Sequence, residues 1–82
     1  MAPASVRGVV IDVQTADVVQ WESITVREED GTETTFLRGG SIDPRFWRAS
    51  HLREHMIQGQ PVRVEYRARN RGRVAIAIGD AE

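Results

Sequence analysis

The chain reads as a mainly β protein: a small closed barrel of five strands with one short helix, in the order β-β-β-α-β-β. Three observations predict it. Five short runs rich in β-branched residues are spaced over 82 residues; the alternation of apolar and polar residues in them has the period of a half-buried strand; and one helical segment, bounded by Ser50 and Gly59, separates the third run from the fourth.

The first run, Ser5 to Val13, contains Gly8, and a glycine inside a strand marks a bend or bulge of the kind that lets a sheet curl. Ser23 to Glu28 forms the second strand, with Ile24 and Val26 on one face. Glu29-Asp30-Gly31 then gives a hairpin turn, because Asp tolerates the turn and Gly supplies positive φ. In the third strand, Thr32 to Arg38, the favoured register sets Ile24 opposite Phe36 and Arg27 opposite Glu33, with Phe36 buried. Gly39-Gly40 ends this strand, and a turn begun by Asp43-Pro44 carries Phe46 and Trp47 across an open end of the barrel. Ser50 is the expected N-cap of a two-turn helix, Leu52, Met56 and Ile57 its apolar stripe, and Gly59 its left-handed stop, with Pro61 beyond. The fourth strand, Val62 to Arg69, alternates with Val64, Tyr66 and Ala68 on one face. A three-residue loop, Asn70-Arg71-Gly72, would bring these opposite Ile78, Ile76 and Val74 of the fifth strand, Arg73 to Gly79.

Length allows one domain spanning residues 1–82, with frayed ends at about 1–4 and 81–82, and a chain this small buries only about 60 to 65% of its unfolded surface. Cysteine is absent, so neither disulfides nor thiolate metal sites contribute; this fits a reducing compartment, and a cytoplasmic location is expected. No signal peptide or membrane span is predicted from the start of the sequence. The net charge of -1 hides an asymmetry: residues 1–41 carry three Arg against seven acids, and residues 42–82 eight Arg against five.

The element order, with Val9-Val10-Ile11-Asp12-Val13, Ile24-Thr25-Val26, Asp30-Gly31, the helix ending at Gly59 and the last hairpin, resembles the oligonucleotide/oligosaccharide-binding (OB) barrel, and in particular small bacterial OB-like domains without assigned function. An SH3-like barrel, the competing architecture, lacks the helix before the fourth strand. The resemblance implies a fold and carries over no functional residue.

Candidate chemistry is sparse. His51-Leu52-Arg53-Glu54-His55 matches H-x-x-E-H, a zinc-peptidase signature, yet a peptidase needs a third ligand from a distant helix and a substrate cleft. The expected reading is a solvated helix face, with no catalytic residue, no metal and no cofactor; the alternative is adventitious binding of a transition metal by His51 and His55, which at i and i+4 share a face. Arg63, Arg67, Arg69, Arg71 and Arg73 gather on the outer face and tip of the last hairpin, beside a flat strip of Ala75, Ala77 and Gly79. OB domains clasp single strands with this hairpin. The same row also reads as a charged edge that keeps a sheet soluble. Phe36 and Tyr66 read as core and Phe46 with Trp47 as a plug, which leaves Trp21 as the freest ring for stacking. Glu28, Glu29, Asp30 and Glu33 gather at the other hairpin tip, where they repel phosphate.

The sequence therefore points to a non-catalytic, monomeric or weakly associating module. It is expected to bind single-stranded nucleic acid weakly and with little sequence preference through Trp21, Arg63, Arg67, Arg69, Arg71 and Arg73. The alternative is an adaptor that docks on a protein partner through strand edges and its charge-divided surface.

Overall fold

Residues 4–17, 20–43 and 46–81 are described by a computed structural model. The strands are β1 (Ala4–Thr15), β2 (Trp21–Glu28), β3 (Glu33–Arg38), β4 (Pro61–Arg69) and β5 (Gly72–Asp80), and the helix α1 (Ala49–Gln58) lies between β3 and β4. They close into a barrel in the order β1-β2-β3-β5-β4, in which β4 returns to β1. The β3–β5 pairing is parallel and the others antiparallel.

The first hairpin has the expected register, Ile24 opposite Phe36 and Arg27 opposite Glu33, and Phe36 is fully buried. Gly31 turns the chain with φ 91°, while the Asp30 carboxylate accepts the Thr32 N–H at 2.9 Å. That bond holds the Asp30 carboxyl below its ordinary pKa. The barrel is filled by Val10, Val13, Ile24, Val26, Phe36, Val62, Val64 and Ala75; Trp21, Ile42, Trp47, Ala49 and Leu52 belong to the same core.

Three extra residues interrupt the alternation, and each re-aims the side chains beside it. Val10 pairs with Val26 and Asp12 with Thr25, so Ile11 is extra in β1. Gly8 was expected to mark such a bulge and does something else: a Cβ there would lie 2.3 Å from the Arg27 carbonyl oxygen, so it allows β1 and β2 to approach closely. Glu22 is extra in β2, between Ser23 opposite Gln14 and Trp21 opposite Thr15. Ile76 is extra in β5, between Ala77 opposite Glu65 and Ala75 opposite Tyr66.

The bulge at Ile76 corrects the register expected for the last hairpin. Asn70-Arg71 is a two-residue turn, with Arg69 opposite Gly72, so Ala68 meets Arg73 and Tyr66 meets Ala75, while Val64 still meets Ile78. Two carbonyls at the bulge have partners outside the hairpin: Gly39 N–H donates to Ala75 O at 2.9 Å, continuing the parallel β3–β5 ladder, and the Ser41 hydroxyl donates to Ile76 O at 2.7 Å. Such pairing is what makes a bulge inexpensive.

Gly39 is therefore confined. A Cβ at this position would sit 2.3 Å from Ala75 O, whereas one at Gly40 would meet nothing within 4 Å. Gly39→Ala is expected to cost about 3 kcal/mol and Gly40→Ala to be neutral or mildly stabilising, as measured by urea denaturation midpoints.

The helix starts two residues earlier than its polar residues suggest. Arg48 is the N-cap and makes no side-chain cap bond; Ser50 lies inside the first turn, where its hydroxyl accepts from Arg48 Nε at 3.1 Å. Gly59 ends the helix at φ 67°, as expected. The face turned to the core is Ala49, Leu52 and His55, with Met56 packed alongside, and Ile57 is 80% exposed. Toward the ends, Ala4 pairs with Tyr66 and Ala81 N–H donates to Pro61 O at 3.1 Å, while 1–3 and 82, like Pro44, lie outside the described residues.

No described helix is long and apolar enough to cross a membrane.

Candidate nucleic-acid interface

Pairing partners in a sheet share a side, so the registers place each arginine without ambiguity. Along β4 the outer row is Arg63, Glu65, Arg67 and Arg69, alternating with the inner Val62, Val64 and Tyr66. Arg71 occupies the turn, and Arg73, opposite both Ala68 and Phe36, heads the inner row of β5 at the barrel rim. All five of these arginines are exposed, and among the described residues none forms an ion pair with Asp or Glu.

The structure brings together Arg67, Arg69, Arg71 and Arg73 around one turn and sets Arg63 apart. Arg63 lies four residues along β4 toward the helix end, beyond the half-buried Glu65, and pairs with Arg7 of β1. A row runs across the sheet from Arg67 through Val74 and Leu37 to Ser23. Val74 and Leu37 are half-buried although they face outward. Beside them, Thr25 and Thr35 join hydroxyls at 2.9 Å. The result is a band of polar and aliphatic groups on the outer face with arginine along one margin.

Two expectations about this surface are corrected. Trp21 is the reverse of free: its ring is 1% exposed, and Nε1–H donates to Trp47 O at 2.8 Å. Its own carbonyl accepts from Arg38 Nε at 3.0 Å. The cause is the extra Glu22, since unbroken alternation from Ile24 and Val26 would have turned Glu22 inward and Trp21 out. Ala75, expected on an outer strip with Ala77 and Gly79, is fully buried for the same kind of reason. A docking surface loses the centre of that strip.

The parallel β3–β5 pairing also settles where the charges lie. Parallel strands begin at the same end, so the turn before β3, with Glu28, Glu29, Asp30 and Glu33, and the Arg71 turn before β5 occupy the same end of the barrel. The acidic and basic tips are neighbours in topology, which bounds the basic region on its β3 side.

At the opposite end, Trp47 is the plug and Phe46 is not. Trp47 is 5% exposed, while Phe46 is 57% exposed and meets Trp47 and His51 edge-on. The motif H-x-x-E-H is not a uniformly solvated face: Glu54 is exposed and His51 half-buried, but His55 is buried. Its Nδ1 has no hydrogen-bond partner, a position that costs about 1–3 kcal/mol when nothing satisfies it. Among the described residues no three His, Asp or Glu side chains gather as metal ligands.

Comparison with protein-family models, with curated proteins and with solved structures finds no match to this chain.

Proposed function

We propose that this chain is a non-catalytic, OB-like binding module. It holds single-stranded nucleic acid weakly, and with little sequence preference, along Arg67, Arg69, Arg71 and Arg73. The OB-like reading is supported by the closed strand order β1-β2-β3-β5-β4, by the parallel closure of β3 on β5 and by a helix between β3 and β4. The single observation that carries the functional reading is the group of exposed arginines around one turn, with Arg67 and Arg69 on the outer face beside the Leu37–Val74 band, Arg71 in the turn and Arg73 at the rim, none of them ion-paired among the described residues. Guanidinium groups neutralise phosphates, and the row from Arg67 through Val74 and Leu37 to Ser23 carries no carboxylate to repel them.

With Trp21 in the core, base stacking contributes little on this face, and affinity rests on phosphate contacts. It must then fall steeply with salt, at about 0.7 log units per contact per tenfold salt for a single strand. A short mixed-sequence single strand, titrated at low and moderate salt while backbone amide shifts are followed, is expected to move Arg67 to Val74 and Leu37 saturably. Replacing Arg69 and Arg71 together by Ala is expected to flatten the salt slope by about 1.4. Absence of shifts even at low salt would remove the nucleic-acid reading and leave docking on a protein.

A further inference from the structure

The helix end of the barrel holds a second pair of groups, far from the arginine turn and independent of its reading. His51 and His55 lie one turn apart on α1, on the same side of the helix, with ring centres 5.0 Å apart. Each imidazole has one nitrogen fixed by an acceptor. His51 Nδ1–H donates to Phe46 O at 2.8 Å. His55 Nε2 lies 3.2 Å from Asp80 Oδ1, a carboxylate oxygen that can only accept. The proton-bearing nitrogens are thereby Nδ1 of His51 and Nε2 of His55, and the lone pairs are left on His51 Nε2 and His55 Nδ1.

That is the arrangement of histidines prepared for a metal ion: the far nitrogen of each ring is anchored to a carbonyl or carboxylate, which fixes tautomer and orientation. Trp47 adds rigidity by stacking on the His51 ring at 4.6 Å and 7° between planes. Two imidazoles on one tetrahedral ion, with metal–nitrogen bonds of about 2.0–2.1 Å, hold their ring centres about 5 Å apart. The buried His55 Nδ1, for which the protein supplies no partner, is the independent sign that a ligand belongs here.

We infer that His51 Nε2 and His55 Nδ1 bind a single divalent transition ion of the zinc class. No thiolate is available anywhere in the chain, and neutral imidazoles suit zinc. With two protein ligands, the remaining positions go to water. A cavity of about 290 Å³ adjoins His51 and Glu54, and a separate one of about 250 Å³ adjoins His55 and Asp80. Such a site cannot be the peptidase that H-x-x-E-H suggests, because a catalytic zinc in that class is held by three protein ligands.

The test is a titration of the protein with zinc chloride alone, followed by long-range 1H–15N spectra of the imidazoles and by thermal melting. His51 Nε2 and His55 Nδ1 are expected to shift together with 1:1 saturation, and Tm to rise with zinc concentration. His51→Gln is expected to weaken binding at least ~10-fold; His51 is half-buried, so this variant should fold even where His55→Gln does not. No shift up to about millimolar zinc, a response from His51 alone, or binding unchanged in His51→Gln would each overturn the assignment.

Discussion

Replacing Trp21 by alanine is expected to lower the unfolding free energy by about 3–5 kcal/mol, the range for emptying a large buried aromatic site. A domain of 82 residues has about 4–12 kcal/mol in all, so the variant should be marginal or unfolded. Two losses combine. The ring leaves a cavity in a cluster that also contains Ile24, Trp47 and Leu52, and the Trp47 carbonyl loses the indole N–H that now satisfies it. Trp21→Phe separates them, since it keeps most of the volume and removes the donor; its expected cost is about 1–3 kcal/mol. Urea denaturation followed by far-UV circular dichroism checks both. A Trp21→Ala midpoint close to that of the parent would mean that the ring is on the surface, where the sequence alone would place it.

The second large effect contrasts neighbouring alanines. Ala75→Lys is expected to cost about 4 kcal/mol or more, whereas Ala77→Lys should stay within about 0.5 kcal/mol of the parent. Ala75 is fully buried opposite Tyr66 and beside Arg38 across the β3–β5 pairing, so a new ammonium there would be desolvated and next to a like charge. Ala77 is exposed opposite Glu65 and would gain an opposite charge. Both positions have the same parity in the sequence. The difference between them measures the bulge at Ile76, and equal stabilities on denaturation would remove it.

Where alternation runs unbroken, the sequence was sufficient. Ile24, Val26 and Phe36 could be paired across the first hairpin because one register alone buries all three and sets Arg27 against Glu33. Gly59 could be identified as a helix stop because its left-handed conformation suits residues without a Cβ. The misplacements have one origin. A bulge reverses parity without altering composition, and its partners lie far along the chain: Ser41 and Gly39 satisfy the carbonyls at Ile76 and Ala75. No local pattern carries that information, so alternation alone puts Trp21 and Ala75 on the wrong face. The arginines of the candidate interface were legible because charge predicts exposure, but their division into Arg63 and the Arg67–Arg73 group depends on the register. A histidine inside a polar helix segment looks solvated, but His55 lies three residues on from Leu52, on the face that Ala49, Leu52 and His55 turn to the core.

The barrel's closing seam has a dynamic consequence. β3 and β5 are joined only over Phe36–Arg38 and Arg73–Ala75, supported by the Gly39 and Ser41 bonds, whereas every other seam is longer and antiparallel. It also joins segments with the whole of α1 and β4 between them, so in folding it is assembled after the local hairpins have formed. The same seam underlies the Leu37–Val74 band. Fluctuations that part β3 from β5 would therefore open the barrel under the proposed binding surface, and a strand lying across both would act as a clamp, slowing the opening of the very joint on which it rests.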